Sequence, residues 1–412
     1  MIWVIWISAQ NHNKGESLMK ISLCIPTNGI IEWISQVIDS IYSQDVPFDQ
    51  FEVVIVDNGN NDVFFDYIQN KKREYPNIKY KRIKCSIFMN EIEAYKLAEG
   101  DFIKFVNHRT VLLDGTLKKW ISFMEENYDT KPVVYFANGE LNLCYRDYCY
   151  NSFNDFIGAL SYYSSWSTGM AMWKEDLVDL NMNGVNELFP HTSILFKRRK
   201  SRGYVIDNRI YLREIPHTAQ KKGRYDLFYA FAVEYPALLL ELYRDGDIEI
   251  DTFLKIKEDN LDFIMGIYED FCEKKHECSY DLSSYDSSIE IFYSHEMLKD
   301  RAFTKKVLFD KELKHRIEKL KSDSDAKIIY GAGITGREYI TKNGSEDVIC
   351  FVDKSKYKQG RLILGIPVIS YEEFAERNID AKIIICVKQE NFQKEEFELK
   401  NKKKDYLYWG IV

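Results

Sequence analysis

The feature that most limits the fold is a repeated alternation of apolar runs and helical patterns between residues 20 and 107. The runs "KISLCIPT" (20–27), "FEVVIVDNG" (51–59) and "DFIKFVN" (101–107) are nearly continuous in apolar character. Such runs are typical of parallel strands that are buried on both faces. Residues 30–44 carry apolar side chains at helical spacing. We therefore predict an α/β fold with an open parallel sheet and helices on both faces.

Polar residues follow each of these runs. Ligands of such folds bind beyond the carboxyl ends of the strands, so Pro26, Thr27, Asp57, Asn58 and the tripeptide 107–109 become candidates. A carboxylate such as Asp57 can accept an N–H group from a uracil- or thymine-type base, and Asn58 can add an amide hydrogen bond. The alternative is that Asp57 only shapes a turn, as is common in "DNG" sequences.

The rest of the chain divides by composition. Residues 226–325 are rich in helical patterns, the polar stretch "KSDSDA" is a linker candidate, and a strand-helix pattern begins again at residue 326. The apolar start "MIWVIWISAQ" is shorter than the ~20 residues that a spanning helix needs. We predict an extension (1–18), an α/β domain (19–225), a helical segment (226–325) and a small Rossmann-like domain (326–412).

Composition excludes some classes of function. The net charge of -8 argues against general nucleic-acid binding, which requires a basic surface. Eight cysteines are scattered and several lie in apolar runs, which indicates reduced thiols and a cytoplasmic protein. The cluster "CEKKHEC" offers Cys272, His276 and Cys278, but a tetrahedral zinc site needs a fourth ligand.

The stretch "ISLCIPTNGIIEWISQVIDSIYSQDVPFDQFEVVIVDNGNND" resembles the opening of family 2 glycosyltransferases with the GT-A fold. The resemblance is carried by an ordered set of motifs over about residues 20–225. It implies a nucleotide-sugar donor, with Pro26-Thr27 ending the first strand and Asp57 holding the base. Asn90, in "NEIEAYKLAEG", matches an asparagine of the family at the start of a helix.

One motif departs from the family. Asn107, His108 and Arg109 stand where the family usually has an Asp-x-Asp pair that binds Mg²⁺ or Mn²⁺. Asparagine is a weak ligand, and arginine cannot bind a cation, so metal use is doubtful. A guanidinium group can instead contact phosphate oxygens. Three interpretations stay open: Arg109 with His108 replaces the charge of the metal, other groups hold a metal, or the site only binds.

The resemblance also implies an acceptor side. "SSWSTGMAMWKEDLVDL" (164–180) is similar to the family's acceptor strand, where Trp166 would line the site and Gly169 would admit substrate; the alternative is a buried loop. Where the family has an acidic pair, this chain has His191-Thr192, with Glu187 just before. His191 or Glu187 would be the general base; the alternative for His191 is a helix start or a diphosphate contact.

Two basic stretches follow. His217, Lys221 and Lys222 fall where family members close a loop over the diphosphate, and a solvated loop is the alternative. Residues 197–202 contain five basic side chains, which suit a peripheral membrane contact or a diphosphate-lipid acceptor. A solvated helix face is the other interpretation.

The C-terminal part carries a glycine motif. Gly331, Gly333 and Gly336 form G-x-G-x-x-G after a strand, and Asp353 ends the next strand. This arrangement favours a nucleotide or dinucleotide such as NAD. The segment also resembles small Rossmann-like domains of bacterial sugar-modifying enzymes. The alternative is a docking or homo-oligomerisation module.

These observations lead to one main functional prediction. We expect an inverting glycosyltransferase that moves a sugar from a nucleotide-sugar to an oligosaccharide or lipid-linked acceptor, at the inner face of the membrane. The expected pathway is lipopolysaccharide or capsule synthesis. The alternatives are a non-catalytic nucleotide-sugar-binding scaffold and a bifunctional enzyme whose C-terminal domain binds NAD.

Overall fold

The computed structural model describes residues 19–179, 184–197, 203–215, 223–355, 358–387 and 406–409. The described chain forms two compact units. The first unit contains the described residues up to 131, those from 171 to 179 and those from 213 to 215, and the second contains the rest.

The first half of the chain alternates strands and helices. Its elements are β1 (Ile21–Thr27), α1 (Ile31–Tyr42), β2 (Phe51–Asp57), α2 (Asp62–Glu74), β3 (Ile78–Arg82), α3 (Asn90–Leu97), β4 (Phe102–Phe105), β5 (Thr110–Leu112), α4 (Thr116–Glu126), β6 (Val133–Phe136), β7 (Asp147–Tyr150), α5 (Phe153–Leu160), β8 (Ala171–Trp173), α6 (Lys174–Asp179), α7 (Pro190–Lys197), β9 (Tyr204–Asp207) and β10 (Leu212–Glu214). Two 3-10 turns, Ser161–Ser165 and Ser167–Gly169, precede β8.

The second half begins with helices and ends with a sheet. Its elements are α8 (Leu227–Tyr229), α9 (Tyr235–Arg244), α10 (Ile250–Tyr268), α11 (Tyr285–Phe292), α12 (His295–Leu320), β11 (Lys327–Tyr330), α13 (Ile334–Asn343), β12 (Val348–Val352), β13 (Leu362–Ile363), β14 (Ile366–Ile369), α14 (Tyr371–Arg377), β15 (Lys382–Ile385) and β16 (Tyr406–Tyr408). π-helical turns at Ala230–Glu234 and Glu269–Glu273 adjoin α9 and α10.

The first unit is built on a five-stranded sheet in the order β3-β2-β1-β4-β8. The first four strands are parallel and β8 is antiparallel to β4. Every residue of β2 is buried, as the continuous apolar run predicts. Helix α1 covers the sheet because Ile34, Val37, Ile38 and Ile41 recur on one helical face and are buried. The prediction of an α/β fold is confirmed, but the sheet is mixed and not wholly parallel, because β8 pairs with β4 in the antiparallel direction.

Strand register decides which residues meet at the carboxyl edge of this sheet. Thr27 lies opposite Asp57, and Asp57 lies opposite Arg82 on β3. On the other side of β1, the Val106 amide continues the ladder by donating to the Cys24 carbonyl at 2.8 Å. The ends of β1, β2 and β4 therefore align, which brings the polar residues that follow them to one edge.

The second unit contains two sheets. One has the order β6-β9-β7, and the other has the order β13-β14-β12-β11-β15-β16. In the larger sheet all pairs are parallel except β13 with β14. Buried side chains of α12 and α14 pack on one face, and those of α13 pack on the other. None of the helices in the described residues has the length and apolar character that crossing a membrane requires.

Candidate functional site

The carboxylate of Asp57 lies at the carboxyl edge of the first sheet and is fully buried, with 0% exposure. It accepts hydrogen bonds from the Gly59 amide (2.7 Å), the Tyr80 hydroxyl (3.0 Å) and Nε of Arg82 (3.3 Å). An ionised carboxylate has about four lone-pair sites, so one direction stays available for a further donor. Recognition of a base by Asp57 stays a prediction, because it also requires access to this buried group.

The turn after β2 depends on glycine. A Cβ atom on Gly59 would lie 2.4 Å from the carbonyl oxygen of Asn28, which no side chain permits. The bond between Asp57 and Gly59 is the contact that the turn interpretation expects. Asp57 thus shapes this turn, whatever else it binds.

Asn90 and Asn58 connect the strand ends. The buried side-chain amide of Asn90 donates to the carbonyls of Thr27 (3.1 Å) and Val56 (3.2 Å). Asn58 donates its backbone N–H to the Thr27 carbonyl at 3.0 Å and its side-chain amide to the Ile87 carbonyl at 3.2 Å. These bonds link the ends of β1 and β2 to α3 and to the segment before it, so both asparagines hold the edge in shape.

The tripeptide 107–109 follows β4 at the same edge. Oδ1 of Asn107 accepts from the backbone N–H of Arg109 at 3.0 Å and from its Nε at 3.5 Å. Nδ1 of His108 is 3.0 Å from Oγ1 of Thr27. The indole of Trp33 packs edge-on against His108, with ring centroids 5.1 Å apart, and lies 5.8 Å from the Arg109 guanidinium. All three side chains of the tripeptide are half-buried.

These residues do not fit a divalent metal. The amide oxygen of Asn107 already faces the cationic side chain of Arg109, and that charge would repel a second cation. His108 uses Nδ1 to contact Thr27. Within the residues that the structure describes, no group of three or more His, Cys, Asp or Glu side chains is arranged to hold a metal ion. The arrangement suits an anion better than a cation.

The predicted acceptor residues lie in the second unit. Nε2 of His191 is 2.7 Å from the Ser165 carbonyl. Because a carbonyl only accepts, this contact places the proton of a neutral imidazole on Nε2 and the lone pair on Nδ1. Thr192 donates to the Ser164 carbonyl at 2.9 Å. His191 is buried in α7, whereas Glu187 is exposed in the loop before that helix.

Gly169 and Trp166 flank a tight contact. The ring of Tyr135 fills the space beside Gly169, where a Cβ atom would lie 2.1 Å from Cε1 of Tyr135. The Tyr135 hydroxyl is within hydrogen-bond distance of the carbonyls of Tyr163 (2.6 Å) and Trp166 (2.8 Å). The close approach that Gly169 permits in this structure is therefore that of Tyr135, and Trp166 is half-buried.

Several predicted residues fall outside the described part of the chain. His217, Lys221 and Lys222 lie there, as do residues 198–202 of the basic run. Lys197 is the last residue of α7, and burial lowers the pKa of its ammonium group.

The glycine motif of the second unit has clear steric causes at two positions. Gly331 has a φ of +104°, and a Cβ atom there would lie 2.7 Å from the Cys386 carbonyl oxygen. A Cβ atom on Gly336 would lie 2.0 Å from the Gly331 carbonyl oxygen. At Gly333 the nearest atom would be Nζ of Lys358 at 3.9 Å, so this position is open.

Asp353 closes the same loop. Its Oδ2 accepts from the Ala332 amide at 2.8 Å and from Nζ of Lys358 at 2.9 Å, and its Oδ1 accepts from the Ser355 amide at 2.8 Å. The carboxylate therefore links the glycine loop on β11 to the segment after β12. A ribose would have to replace one of these contacts.

Sequence reasoning missed three neighbours of the first site. Tyr80 and Arg82 on β3 bind Asp57, and Trp33 on α1 packs against His108 and Arg109. The alternating run "IKYKRI" gave one available signal, because a strand beside β2 must place its last residues next to Asp57. Nothing in the sequence near Trp33 points to this edge.

The α/β sheet with a polar edge beyond its parallel strands defines a broad class of ligand-binding domains. Residues 22–197 match the sequence model of a family described as "Glycosyl transferase family 2". This part of the chain, which is less than half of its length, is therefore similar to family 2 glycosyltransferases.

Curated relatives resemble a short part of the chain. A poly(ribitol-phosphate) beta-glucosyltransferase of Bacillus spizizenii is 29% identical over 114 residues, which is 26% of this chain and 18% of the relative. The poly(ribitol-phosphate) beta-N-acetylglucosaminyltransferase TarS of Staphylococcus aureus is 30% identical over 114 residues, 27% of this chain and 20% of TarS. The chain thus matches about a fifth of the length of these relatives.

Solved structures of TarS are similar to part of this chain. S. aureus TarS 1–349 gives a TM-score of 0.45 at 18% identity, covering 66% of this chain and 78% of that one. Its complex with UDP-GlcNAc gives a TM-score of 0.46 at 18% identity, covering 66% and 80%.

Proposed function

We propose that the chain is a glycosyltransferase that uses a nucleotide-sugar donor. The observation that carries the proposal is the edge at the ends of β1, β2 and β4, where Asp57, His108 and Arg109 lie in the region that is similar to family 2 glycosyltransferases. Asp57 and Asn58 would contact the base. Arg109, with His108, would contact the diphosphate.

The reaction needs a positive charge at the leaving group. In a direct displacement, an acceptor hydroxyl oxygen attacks the anomeric carbon while the bond from that carbon to the diphosphate oxygen breaks. The nucleoside diphosphate leaves with the bonding electrons. Arg109 would stabilise this charge by donating to phosphate oxygens. The hydroxyl proton would pass to Nδ1 of His191 or to Glu187.

A donor panel with and without EDTA tests this proposal. We expect turnover of at least one nucleotide-sugar that survives EDTA and falls at least about a hundredfold in Arg109→Ala. Arg73→Ala is the matched control, because Arg73 is an exposed arginine on α2 that bonds Asn70. Turnover that needs added Mn²⁺ would overturn the metal-free assignment. Complete inactivity with retained donor binding would favour the scaffold alternative.

For the acceptor we propose only a chemical class of polymer. The relatives named above are enzymes of poly(ribitol phosphate), and neither name mentions lipopolysaccharide or capsule. This similarity supports a surface polymer rich in hydroxyl groups and phosphates. A lipid-linked form of such a polymer would place the reaction at the inner face of the membrane. Measuring the transfer of labelled sugar to poly(ribitol phosphate), to lipopolysaccharide and to capsule polymer would show which of the three polymers is the acceptor.

The glycine loop of the second unit supports a second proposal. We propose that the phosphates of a nucleotide bind beside Gly333, the open position of the loop, with Lys358 as the counter-charge. The contacts of Asp353 with Ala332 and Lys358 argue against a dinucleotide ribose at that carboxylate. Calorimetry with UDP and NAD tests this proposal. Gly333→Asp should abolish nucleotide binding, and tight NAD binding would contradict the preference for a nucleotide over a dinucleotide.

A further inference from the structure

Four aromatic side chains of the second unit form a continuous cluster, which we call the aromatic platform: Tyr162, Tyr163, Trp166 and Phe263. Tyr162 stacks between Tyr163, with centroids 4.4 Å apart, and Phe263, with centroids 5.1 Å apart. Trp166 stands nearly perpendicular to Tyr163 at 4.7 Å. Tyr162, Tyr163, Trp166 and Phe263 are all half-buried, so the cluster reaches the surface.

The backbone that carries the platform is held firmly. Ser161 has a φ of +53°, a conformation that non-glycine residues adopt only when their surroundings impose it. Its hydroxyl donates to Asp259 at 2.5 Å, and its carbonyl accepts from Tyr235 at 3.1 Å. The carbonyls of Tyr163 and Trp166 face the Tyr135 hydroxyl. A rigid aromatic surface loses little entropy when a ligand binds.

The platform is joined to the residues predicted to handle the acceptor hydroxyl. The Ser164 carbonyl accepts from Thr192, and the Ser165 carbonyl accepts from His191. Trp166 is the next residue. A ligand that lies on Trp166 and Tyr163 is therefore one residue away from the backbone that positions the imidazole.

Three charged side chains act electrostatically on the tyrosines of the platform: Glu140, Arg337 and Arg361. Nη1 of Arg337 donates to the Gly139 carbonyl at 3.1 Å, while its Nε is buried and makes no hydrogen bond within the described residues. Arg361 is exposed, and its Nη2 lies 3.2 Å from the Cβ position of Gly266, less than one turn beyond Phe263 on α10. Glu140, next to Gly139, is also exposed.

The three charged groups affect the pKa values of Tyr162 and Tyr163. Burial raises the pKa of Tyr163, the carboxylate of Glu140 raises it further, and the charges of Arg337 and Arg361 oppose the rise. The same two groups, Glu140 and Arg361, act on Tyr162. Charges of both signs thus act on the two tyrosines of the platform.

We infer that the aromatic platform, with Glu140, Arg337 and Arg361, binds the hydroxyl-rich chain of the acceptor. This assignment rests on the proposed function. The C–H face of a sugar or alditol is apolar and lies well on an aromatic ring, while its hydroxyl groups need hydrogen bonds at the rim. Carboxylate and guanidinium groups supply both acceptors and donors. If the chain carries phosphates, the guanidinium groups bind them in addition.

The experiment uses the full chain and two variants. Trp166→Leu removes the perpendicular ring, and Arg361→Gln removes an exposed charge. Their controls are Tyr243→Leu, an exposed aromatic of α9, and Arg377→Gln, an exposed arginine of α14 that pairs with Glu373. Calorimetry measures binding of a neutral oligosaccharide and of poly(ribitol phosphate) without donor. Initial rates measure the acceptor KM and donor hydrolysis separately.

We expect Trp166→Leu to weaken binding of both acceptors roughly tenfold, which is the scale of one aromatic contact. Arg361→Gln should weaken the phosphate-bearing chain roughly tenfold and the neutral chain less. Both control variants should bind the two acceptors within about twofold of wild type. Binding of free UDP at the platform, detected as loss of UDP affinity in Trp166→Leu, would overturn the assignment to the acceptor.

Failure of this assignment differs from failure of the proposed function. If turnover persists with unchanged acceptor affinity in both variants, the platform assignment is wrong and the transferase proposal stands. If no donor turns over but acceptor chains bind and the variants weaken that binding, the platform stands and the transferase proposal fails.

Discussion

Lys104 offers a quantitative test of the packing beneath the candidate donor site. It lies in β4, the strand that leads into residues 107–109, and its side chain has 0% exposure. Its ammonium group donates to the Phe105 carbonyl at 2.8 Å and lies 5.2 Å from the ring centre of Trp120. Burial lowers the pKa of this lysine from 10.5 to about 7.

The sign of the effect on stability follows from proton binding. Between about pH 7 and pH 10.5 the unfolded chain holds the proton and the folded chain does not, so stability rises with pH over this range. A tenfold difference in proton affinity is worth about 1.4 kcal/mol. Lys104 alone should therefore make the fold about 2.7 kcal/mol more stable at pH 9 than at pH 6.

Replacing Lys104 by methionine removes this dependence. We expect Lys104→Met to stabilise the first unit most at pH 6, with the advantage shrinking by about 2.7 kcal/mol towards pH 9. Urea unfolding of wild type, Lys104→Met and the control Lys84→Met at four pH values measures it; Lys84 is exposed. A variant whose advantage is the same at pH 6 and pH 9 would refute the reasoning, as would a Lys104 NMR resonance that titrates near its ordinary value.

Two further predictions concern the glycine loop and the thiols. Gly336→Ala should lower the free energy of unfolding of the C-terminal sheet by about 1–3 kcal/mol, because its Cβ atom would meet the Gly331 carbonyl oxygen. Gly333→Ala should leave this free energy unchanged, because the Cβ atom there would lie in open space. Equal thermal midpoints for the two variants would argue against this geometry. Exposed Cys144 and Cys149 should react first with a thiol reagent. Buried Cys24 and Cys386 should react only on unfolding, because burial raises the pKa of both thiols, that of Cys386 to about 12. Mass spectrometry of labelled peptides checks the order, and early labelling of Cys24 would contradict it.

The first sheet could be read from the sequence because burial on both faces leaves a continuous apolar run. The runs at 20–27 and 51–59 match β1 and β2 closely. Strand order is less visible: β8 joins this sheet after a gap of more than sixty residues from β4, and only tertiary packing brings them together. The same holds for α12, whose residues Phe309 and Leu313 belong to the core of the C-terminal sheet.

The candidate site was visible only in part. Residues at strand ends were predictable because parallel strands present their carboxyl ends at one edge. The contacts of those residues were not, because Arg82 and Trp33 arrive from other elements. Gly169 shows the same limit: its neighbour Tyr135 lies on β6, far away in the chain. The aromatic platform could not be predicted either, because Phe263 reaches it from α10.

The most direct test of the central claim is a calorimetric titration with UDP, GDP, CDP and dTDP. The account predicts that wild type binds at least one of them and that Asp57→Asn weakens this binding at least about tenfold. The control Asp66→Asn, at an exposed position of α2, should bind as wild type does. If wild type binds none of the four, or if correctly folded Asp57→Asn binds equally well, the edge of the first sheet is not a nucleotide site.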